Sequence, residues 1–339
     1  MTTAHRDGPH PPAGTAPGAV VTLGETMALL TTPAQGRVTA GSALPVGIGG
    51  AESNVAIGLA RLGVPATWIS RVGDDALGTY VIREIRAEGV RVVAHRDDTA
   101  PTGLMLKELR GGLPRRVRYY RSGSAASHLS AADVDEAAVA AADVLHLTGI
   151  TPALGPGPLA AVEHAIATAR SSGTLVSFDV NYRATLWPRS EAAPVLARLA
   201  SLADLLFAGP AEAALLLGTD EPRHEPADVE TGAALARTLA RLGPGTVVVK
   251  LGALGALALR HGETHRAPAR PVTVVDAVGA GDAFVAGYLS GVVSGAPVAD
   301  CLSTGNLLGA AVCAAPGDWE GLPTREELAA RSDDEEVIR

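Results

Sequence analysis

Strand-length apolar runs alternate with helix-length amphipathic stretches along most of this 339-residue chain, and that alternation leaves few folds open. Residues 20–23 (VVTL) read as a first strand, halted at Gly24-Glu25. Residues 51–62 (AESNVAIGLARL) carry an apolar stripe at helical period and stop at Gly63, a C-terminal helix signal. The strand ATWIS follows, then Arg71-Val72-Gly73-Asp74, then a helix to about Glu88 closed by Gly89. This β–α–β–α opening predicts a mostly parallel sheet with helices on both faces. The pattern breaks after residue 90. RVVAHR, GLMLKEL and RRVRYYR are strand-like runs with turn residues and no helix between them. They predict an antiparallel excursion. Residues 91–122, together with about 31–48, are expected to form a small sheet set apart as a lid. Alternation resumes after Ser130: strand VLHL, helix 157–171, strand TLVSFDV, helix 190–202, strand DLLFA and helix 210–217. A charged loop, 221–230, precedes helix 231–242, the strands TVVVK and ALALR, and helices near 279–293, 298–314 and 325–331. The expected folded unit is 19–330, between a disordered tail, 1–18, and a frayed end, 331–339.

Charge and hydropathy exclude some functions. Lys and Arg total 28 against 36 Asp and Glu, a net charge of −8, so the basic footprint of a nucleic-acid binder is missing. The richest apolar stretch, 199–218, is interrupted by Asp204, Pro210 and Glu212 and does not read as a membrane span. Residues 1–18 lack a hydrophobic signal region, so the expected location is the cytoplasm. Cys301 and Cys313 fall on one predicted helix. About 18 Å of helix separates them, too far for a disulfide.

The sharpest local signal is 276–287, DAVGAGDAFVAG, between the strand-like run PVTVV and an apolar helix. Glycines let main-chain N–H groups approach an anion, and a helix that starts there adds the positive end of its dipole. Such a turn can hold a phosphate or the charge developing on a transferring phosphoryl group. A carboxylate beside that site, Asp282, is then suited to accept a proton from a hydroxyl that attacks phosphorus. The plainer reading is a tight turn with Asp282 in the first helical turn. The run is neither a Walker A loop nor a Rossmann fingerprint.

Taken together, the motifs resemble those of the ribokinase-like (PfkB) carbohydrate kinases. Residues 278–284 (VGAGDAF) look like that family's C-terminal signature, and 49–56 (GGAESNVA) like its N-terminal glycine–asparagine signature. Residues 71–78 (RVGDDALG) also fit, and the order spans about 20–325. Within the family, the runs GETM (24–27), YYRSGSA (119–125), HLTGIT (146–151), DVNYRATLW (179–187) and GDWEG (317–321) look most like 2-keto-3-deoxygluconate kinases. The resemblance implies an α/β fold: a three-layer α/β/α ribokinase-like core with a small β-sheet lid, often used for contact between subunits. It also implies a sugar-acid substrate, ATP and Mg²⁺.

Roles follow from the resemblance. Asp282 is the expected base, and Gly279, Ala280 and Gly281 supply the anion hole. Gly49, Gly50 and Asn54 line the sugar site, joined by Met105, Tyr119 and Arg121 from the lid and Asp318 from the C-terminal side. Asn181 and Arg183 stand between sugar and nucleotide. Lys250, Gly252 and Gly255 border ATP, with Gly279 and Gly281, and Glu212 is the expected Mg²⁺ ligand. Arginine grips carboxylate in a bidentate fork, so Arg121 and Arg183 suit an acidic sugar. Plainer readings stand beside these: a solvated strand residue for Arg121, sheet packing for Tyr119, a surface helix residue for Glu212. His146 reads as a satisfied core histidine. Two positions depart from the family pattern. Gly209 replaces an amide that usually precedes Glu212, and Met105 stands where a tyrosine is frequent. A fructose, ribose or nucleoside kinase of the same family, or a non-catalytic sugar sensor, is the alternative.

Overall fold

The computed structural model describes residues 19–219 and 228–330, and the alternation folds into three layers. In chain order the strands and helices are β1 (Val20–Leu23), β2 (Met27–Thr31), β3 (Val46–Gly49), α1 (Ala51–Arg61), β4 (Ala66–Gly73), α2 (Ala76–Ala87), β5 (Arg91–Asp97), β6 (Leu104–Arg110) and β7 (Leu113–Tyr120). Then come α3 (Glu136–Ala141), β8 (Val144–Thr148), α4 (Pro156–Ser172), β9 (Leu175–Asp179), α5 (Arg189–Ala200), β10 (Leu205–Ala208) and α6 (Pro210–Leu216). The last are α7 (Val229–Leu239), β11 (Thr246–Lys250), β12 (Ala256–Arg260), β13 (Glu263–Ala267), α8 (Ala280–Val293) and α9 (Val298–Cys313). The tail 1–18, the end 331–339 and most of the charged loop lie outside the described residues.

A nine-stranded sheet runs β13-β12-β11-β10-β9-β8-β1-β4-β5, in which β12 alone runs against its neighbours and the other strands are parallel. Successive strand residues feed opposite cores, as a period of two demands. Val20, Val144 and Val248 face Val55, Ile85, Phe284 and Leu302 of α1, α2, α8 and α9. Val21, Leu145 and Val249 face Val139, Val162, Leu196, Leu215 and Leu239 of α3 to α7. The strand order turns around at β1, between β4 and β8. The carboxyl ends of strands at such a switch point are where open α/β sheets collect ligands.

The second sheet, β3-β2-β6-β7, stands apart from the first. One run expected there belongs elsewhere. Residues 91–97 are β5, parallel to β4 at the edge of the large sheet. Strand β2, missing from the sequence reading, takes the place beside β6. Met27, Leu29, Met105 and Val117 form the apolar inner face of this small sheet.

PVTVV is not a strand. Val272, Val274 and Val275 are exposed, and the segment is tied down by Val275 and Asp276 N–H groups donating to the Cys313 carbonyl at the end of α9. Helix α8 is anchored by an aromatic trio. Phe207 of β10 meets the ring of Tyr288 edge-on at 5.3 Å and that of Phe284 at 6.3 Å. Each buried ring contributes roughly 1.5–3 kcal/mol, so the start of α8 is fixed against the sheet. Cys301 and Cys313 are both free. Among the described residues, no helix is long and apolar enough to cross a membrane.

Candidate active site

Asp282 occupies the first turn of α8, three residues after the N-cap Gly279. Helix geometry leaves the N–H groups of this turn without intrahelical acceptors, so they point toward any anion placed there. Gly279 has φ +78°, and a Cβ on it would come within 1.8 Å of the Asp318 carbonyl oxygen. Only glycine fits that left-handed approach. Gly281 is different: a Cβ there would meet only Lys250 Nζ, at 3.6 Å. The space in front of Gly281 is thus open, with an ammonium at its edge.

The Asp282 carboxylate is buried and held from two sides. Asn54 Nδ2 donates to Oδ2 at 2.8 Å, and Asn181 Nδ2 donates to Oδ1 at a longer 3.4 Å. Asn181 has φ +35°, a strained value for a side chain other than glycine. It follows directly on β9, which ends in Asp179. Burial pushes the Asp282 carboxyl up to about 7, against the opposing pull of the Asn54 hydrogen bond and the Arg183 charge. Asp179 adds to the rise and Lys250 offsets part of it. A carboxyl that titrates near 7 is matched to general-base work at neutral pH.

Lys250 ends β11 and reaches both oxygens of Asp179, at 2.9 and 2.7 Å. Burial would lower its ammonium pKa, but the Asp179, Glu212 and Asp282 carboxylates together outweigh that and hold it above its ordinary value. Gly252 and Gly255 lie in the turn from β11 to β12, with Leu251 N–H donating to the Gly255 carbonyl at 2.8 Å. Arg183 is exposed and has no ion pair among the described residues.

Glu212 is more than a surface helix residue. Its Oε2 accepts the Gly209 N–H at 2.6 Å and its Oε1 accepts the Tyr182 N–H at 3.0 Å. It clamps the start of α6 to the loop that carries Asn181 and Arg183. The backbone of Gly209 therefore supplies a contact where a side-chain amide was expected. Among the described residues, no cluster of three or more His, Cys, Asp or Glu could hold a metal ion by itself. The sparse donors beside Lys250, the Asp179 and Glu212 carboxylates, are of the kind that Mg²⁺ accepts, since it keeps its waters and leans on substrate phosphates with one or two carboxylates.

At the other end, Gly49, Met105 and Asp318 meet. A Cβ on Gly49 would lie 2.7 Å from Asp318 Oδ2 and 2.8 Å from Met105 Cε. Tyr119 pairs with Met105 across the small sheet, and the Arg121 guanidinium sits 5.9 Å from the Tyr119 ring centroid. Gly50 abuts the Glu25 carbonyl and Thr26.

Arg121 was expected either to read a substrate carboxylate or to be solvated. It is buried and pairs with the buried Glu25, whose Oε1 also accepts the Ser124 hydroxyl at 2.6 Å. Arg121 Nε has no hydrogen-bond partner among the described residues. Asn54 Oδ1 is likewise buried and unpartnered among them. His146 is a core histidine, satisfied on one side only: Nδ1 lies 2.9 Å from Ser177 Oγ, Nε2 is buried without a partner among the described residues, and burial lowers its pKa to about 4.

Several residues here escaped the sequence reading. Glu25 and Asp179 sit in the family-like runs without an expected role. Lys107 bridges Asp276 and Asp318. Its signal was available: it shares strand parity with the inward Met105. Asp75 explains the RVGDDALG run structurally. It caps α2 at Gly78 N–H, at 2.7 Å, and accepts Thr102 N–H at 2.8 Å.

Comparison with known proteins now decides the family. The model of the pfkB family carbohydrate kinases matches residues 18–325. The chain belongs to that family. It is a sugar kinase. A 2-dehydro-3-deoxygluconokinase of Bacillus subtilis is 41% identical over 315 residues, covering 91% of this kinase and 94% of the relative. A 2-dehydro-3-deoxygalactonokinase of Haloferax volcanii is 35% identical, with 84% and 88% covered. The crystal structure of a 2-dehydro-3-deoxygluconokinase from Thermotoga maritima superposes with a TM-score of 0.82 at 27% identity, over 93% of this kinase and 98% of that chain. The three-layer core with its separate small sheet is thus the fold of this family.

Proposed function

We propose that this kinase transfers the γ-phosphoryl group of ATP to a hydroxyl of 2-keto-3-deoxygluconate (2-dehydro-3-deoxygluconate), giving its 6-phosphate. The observation that carries the chemistry is the buried Asp282 carboxylate at the start of α8, held by Asn54 and Asn181 and titrating near 7. Asp282 takes the proton of the attacking hydroxyl. Main-chain N–H groups of Gly279, Ala280 and Gly281 bind the transferring group, with Lys250 and Arg183 as nearby positive charges. Asn54 Oδ1, unpartnered in its buried position, accepts from a sugar hydroxyl. Gly49, Gly50, Met105, Tyr119 and Asp318 shape the sugar end. Arg121 Nε offers a donor to the substrate carboxylate. Gly252 and Gly255 border the nucleotide.

When bound, Mg²⁺ would neutralise phosphate charge, and Glu212 and Asp179 are the carboxylates that would hold its waters. The small sheet covers the sugar end and excludes water as a rival nucleophile. Its exposed Leu113, Tyr120 and Val46 suit contact with a second copy, which supports a homo-oligomer joined through the small sheet, and the cytoplasm is the location we propose.

The choice of sugar rests on the 41% identical relative and on the buried arginine beside the lid. The test is ADP release with ATP, Mg²⁺ and a sugar panel. The panel holds 2-keto-3-deoxygluconate, its galactonate epimer, gluconate, fructose, ribose and adenosine. Turnover of the keto-deoxy acids above all others supports the proposal. Preference for fructose or ribose sinks the acid specificity and keeps the kinase.

A further inference from the structure

The proposed reaction leaves Lys107 without a role, although its side chain is only 5% exposed. It stands on β6 at the parity of Met105, where the alternation calls for an apolar residue. Its Nζ donates to Asp318 Oδ1 at 2.6 Å and to Asp276 Oδ2 at 3.1 Å. The two carboxylates hold its ammonium above its ordinary pKa, although burial opposes this.

Both partners meet the glycine turn, one from within it and one packed against it. Asp276 opens it, and its Oδ1 accepts the Val278 N–H at 3.0 Å. The main-chain oxygen of Asp318 packs on Gly279, so closely that an added Cβ would lie 1.8 Å from it. The same Asp318 turns its Oδ2 toward Gly49 and Met105. One ammonium from the small sheet therefore ties together the phosphate end and the sugar end.

Stability alone does not explain this placement. A buried charge costs several kcal/mol to desolvate, and apolar replacements of buried ion pairs are often neutral or stabilising. We propose that Lys107 is a positioning residue for phosphoryl transfer, setting the glycine turn against the small sheet so that acceptor hydroxyl and phosphoryl group meet in line. The proposal rests on the glycine turn being the phosphoryl site.

Asp276→Asn isolates the link. Asparagine keeps an acceptor for Val278 N–H but turns an amide NH₂ toward Lys107, and the Lys107–Asp318 pair stays intact. The substitution also removes a negative charge beside a phosphate site, so electrostatics alone predicts an equal or faster reaction. Positioning predicts the opposite: kcat falls about 10²-fold, the loss typical of a 1 Å misplacement, while the KM for 2-keto-3-deoxygluconate stays within about threefold. Lys107→Met should show the same split if it folds. Rates are normalised to folded protein, with melting temperatures measured alongside. A kcat for Asp276→Asn within about twofold of the parent overturns the proposal, as does a loss that merely follows the folded fraction. Asp282→Asn run in parallel separates the two ideas. If it is inactive and Asp276→Asn is not impaired, the Lys107 role fails alone. If it is active and Asp276→Asn is impaired, the base assignment fails and the positioning role stands.

Discussion

Replacing Asn54 with alanine tests the base through its pKa. Asn54 Nδ2 donates to Asp282 Oδ2 at 2.8 Å in a buried setting, and this bond is the largest influence opposing the rise caused by burial. A hydrogen bond to a charged group is worth about 1.5–3 kcal/mol. At about 1.4 kcal/mol per pH unit, its loss lifts the carboxyl by about 1–2 units above the present value near 7. The sign is fixed by the role. A base works only when ionised, so the rate falls as pH drops through its pKa. The acid limb of kcat/KM, which reports the free enzyme, should move from about 7 in the parent to about 8–9 in Asn54→Ala. At pH 7 the ionised fraction then drops about 5- to 50-fold, and the deficit shrinks progressively as pH is raised. The assay is ADP release at limiting sugar across that range, with the plateau compared separately because Asn54 also faces the sugar. An unmoved acid limb under a lowered plateau would refute the reasoning: Asn54 would then bind sugar without tuning Asp282.

Asp282→Asn should retain the fold by circular dichroism and lose about 10²- to 10⁴-fold in kcat; an unchanged rate removes Asp282 as base. Gly279→Ala and Gly281→Ala should part company. The first forces a Cβ to 1.8 Å from the Asp318 oxygen and should lower both melting temperature and kcat. The second meets only Lys250 Nζ at 3.6 Å, so stability should hold while the KM for ATP rises. Equal melting behaviour of the two would contradict the turn's geometry. Arg121→Met alone strands the buried Glu25 at a cost of about 3–5 kcal/mol, so the double substitution with Glu25→Gln is the informative one. It should raise the KM of keto-deoxy acids at least tenfold and leave that of fructose unchanged, checked by competition in the ADP assay.

The core was legible because buried parallel strands are short apolar runs between helical stripes. β5 was not, for a physical reason. As the edge strand of the large sheet, it is nowhere fully buried along RVVAHR and carries the mixed pattern of an antiparallel excursion. Only its partner, β4, reveals where it belongs. PVTVV misled in the opposite direction. Its valines look like a strand, yet among the described residues no strand pairs with them, and the Cys313 carbonyl at the end of α9 takes the hydrogen bonds. Local composition fixes what a segment can become, and the neighbour decides what it does become.

The site divides along the same line. Asp282 and its glycines sit in one contiguous run, so an anion site could be read there beside the plainer reading of a tight turn. The ionic contacts that orient them join residues 169 and 211 positions apart, as at Lys107, and no local pattern announces such pairs. Arg121 shows what this hides. Read alone, it is a free positive charge awaiting a carboxylate. In place, Glu25 already neutralises it, so net attraction there is small and Arg183, exposed and without an ion pair among the described residues, carries more of the long-range pull. What Arg121 keeps is an unpaired, buried Nε. A site with such a donor discriminates by penalty: a substrate that leaves it unmatched forfeits a desolvated hydrogen bond, and rejection built this way reaches about 10⁴-fold where apolar fit alone gives far less. Specificity for an acidic sugar would then come from geometry at a nearly neutral pair, which predicts that raising ionic strength weakens capture of the acid without erasing its preference over fructose.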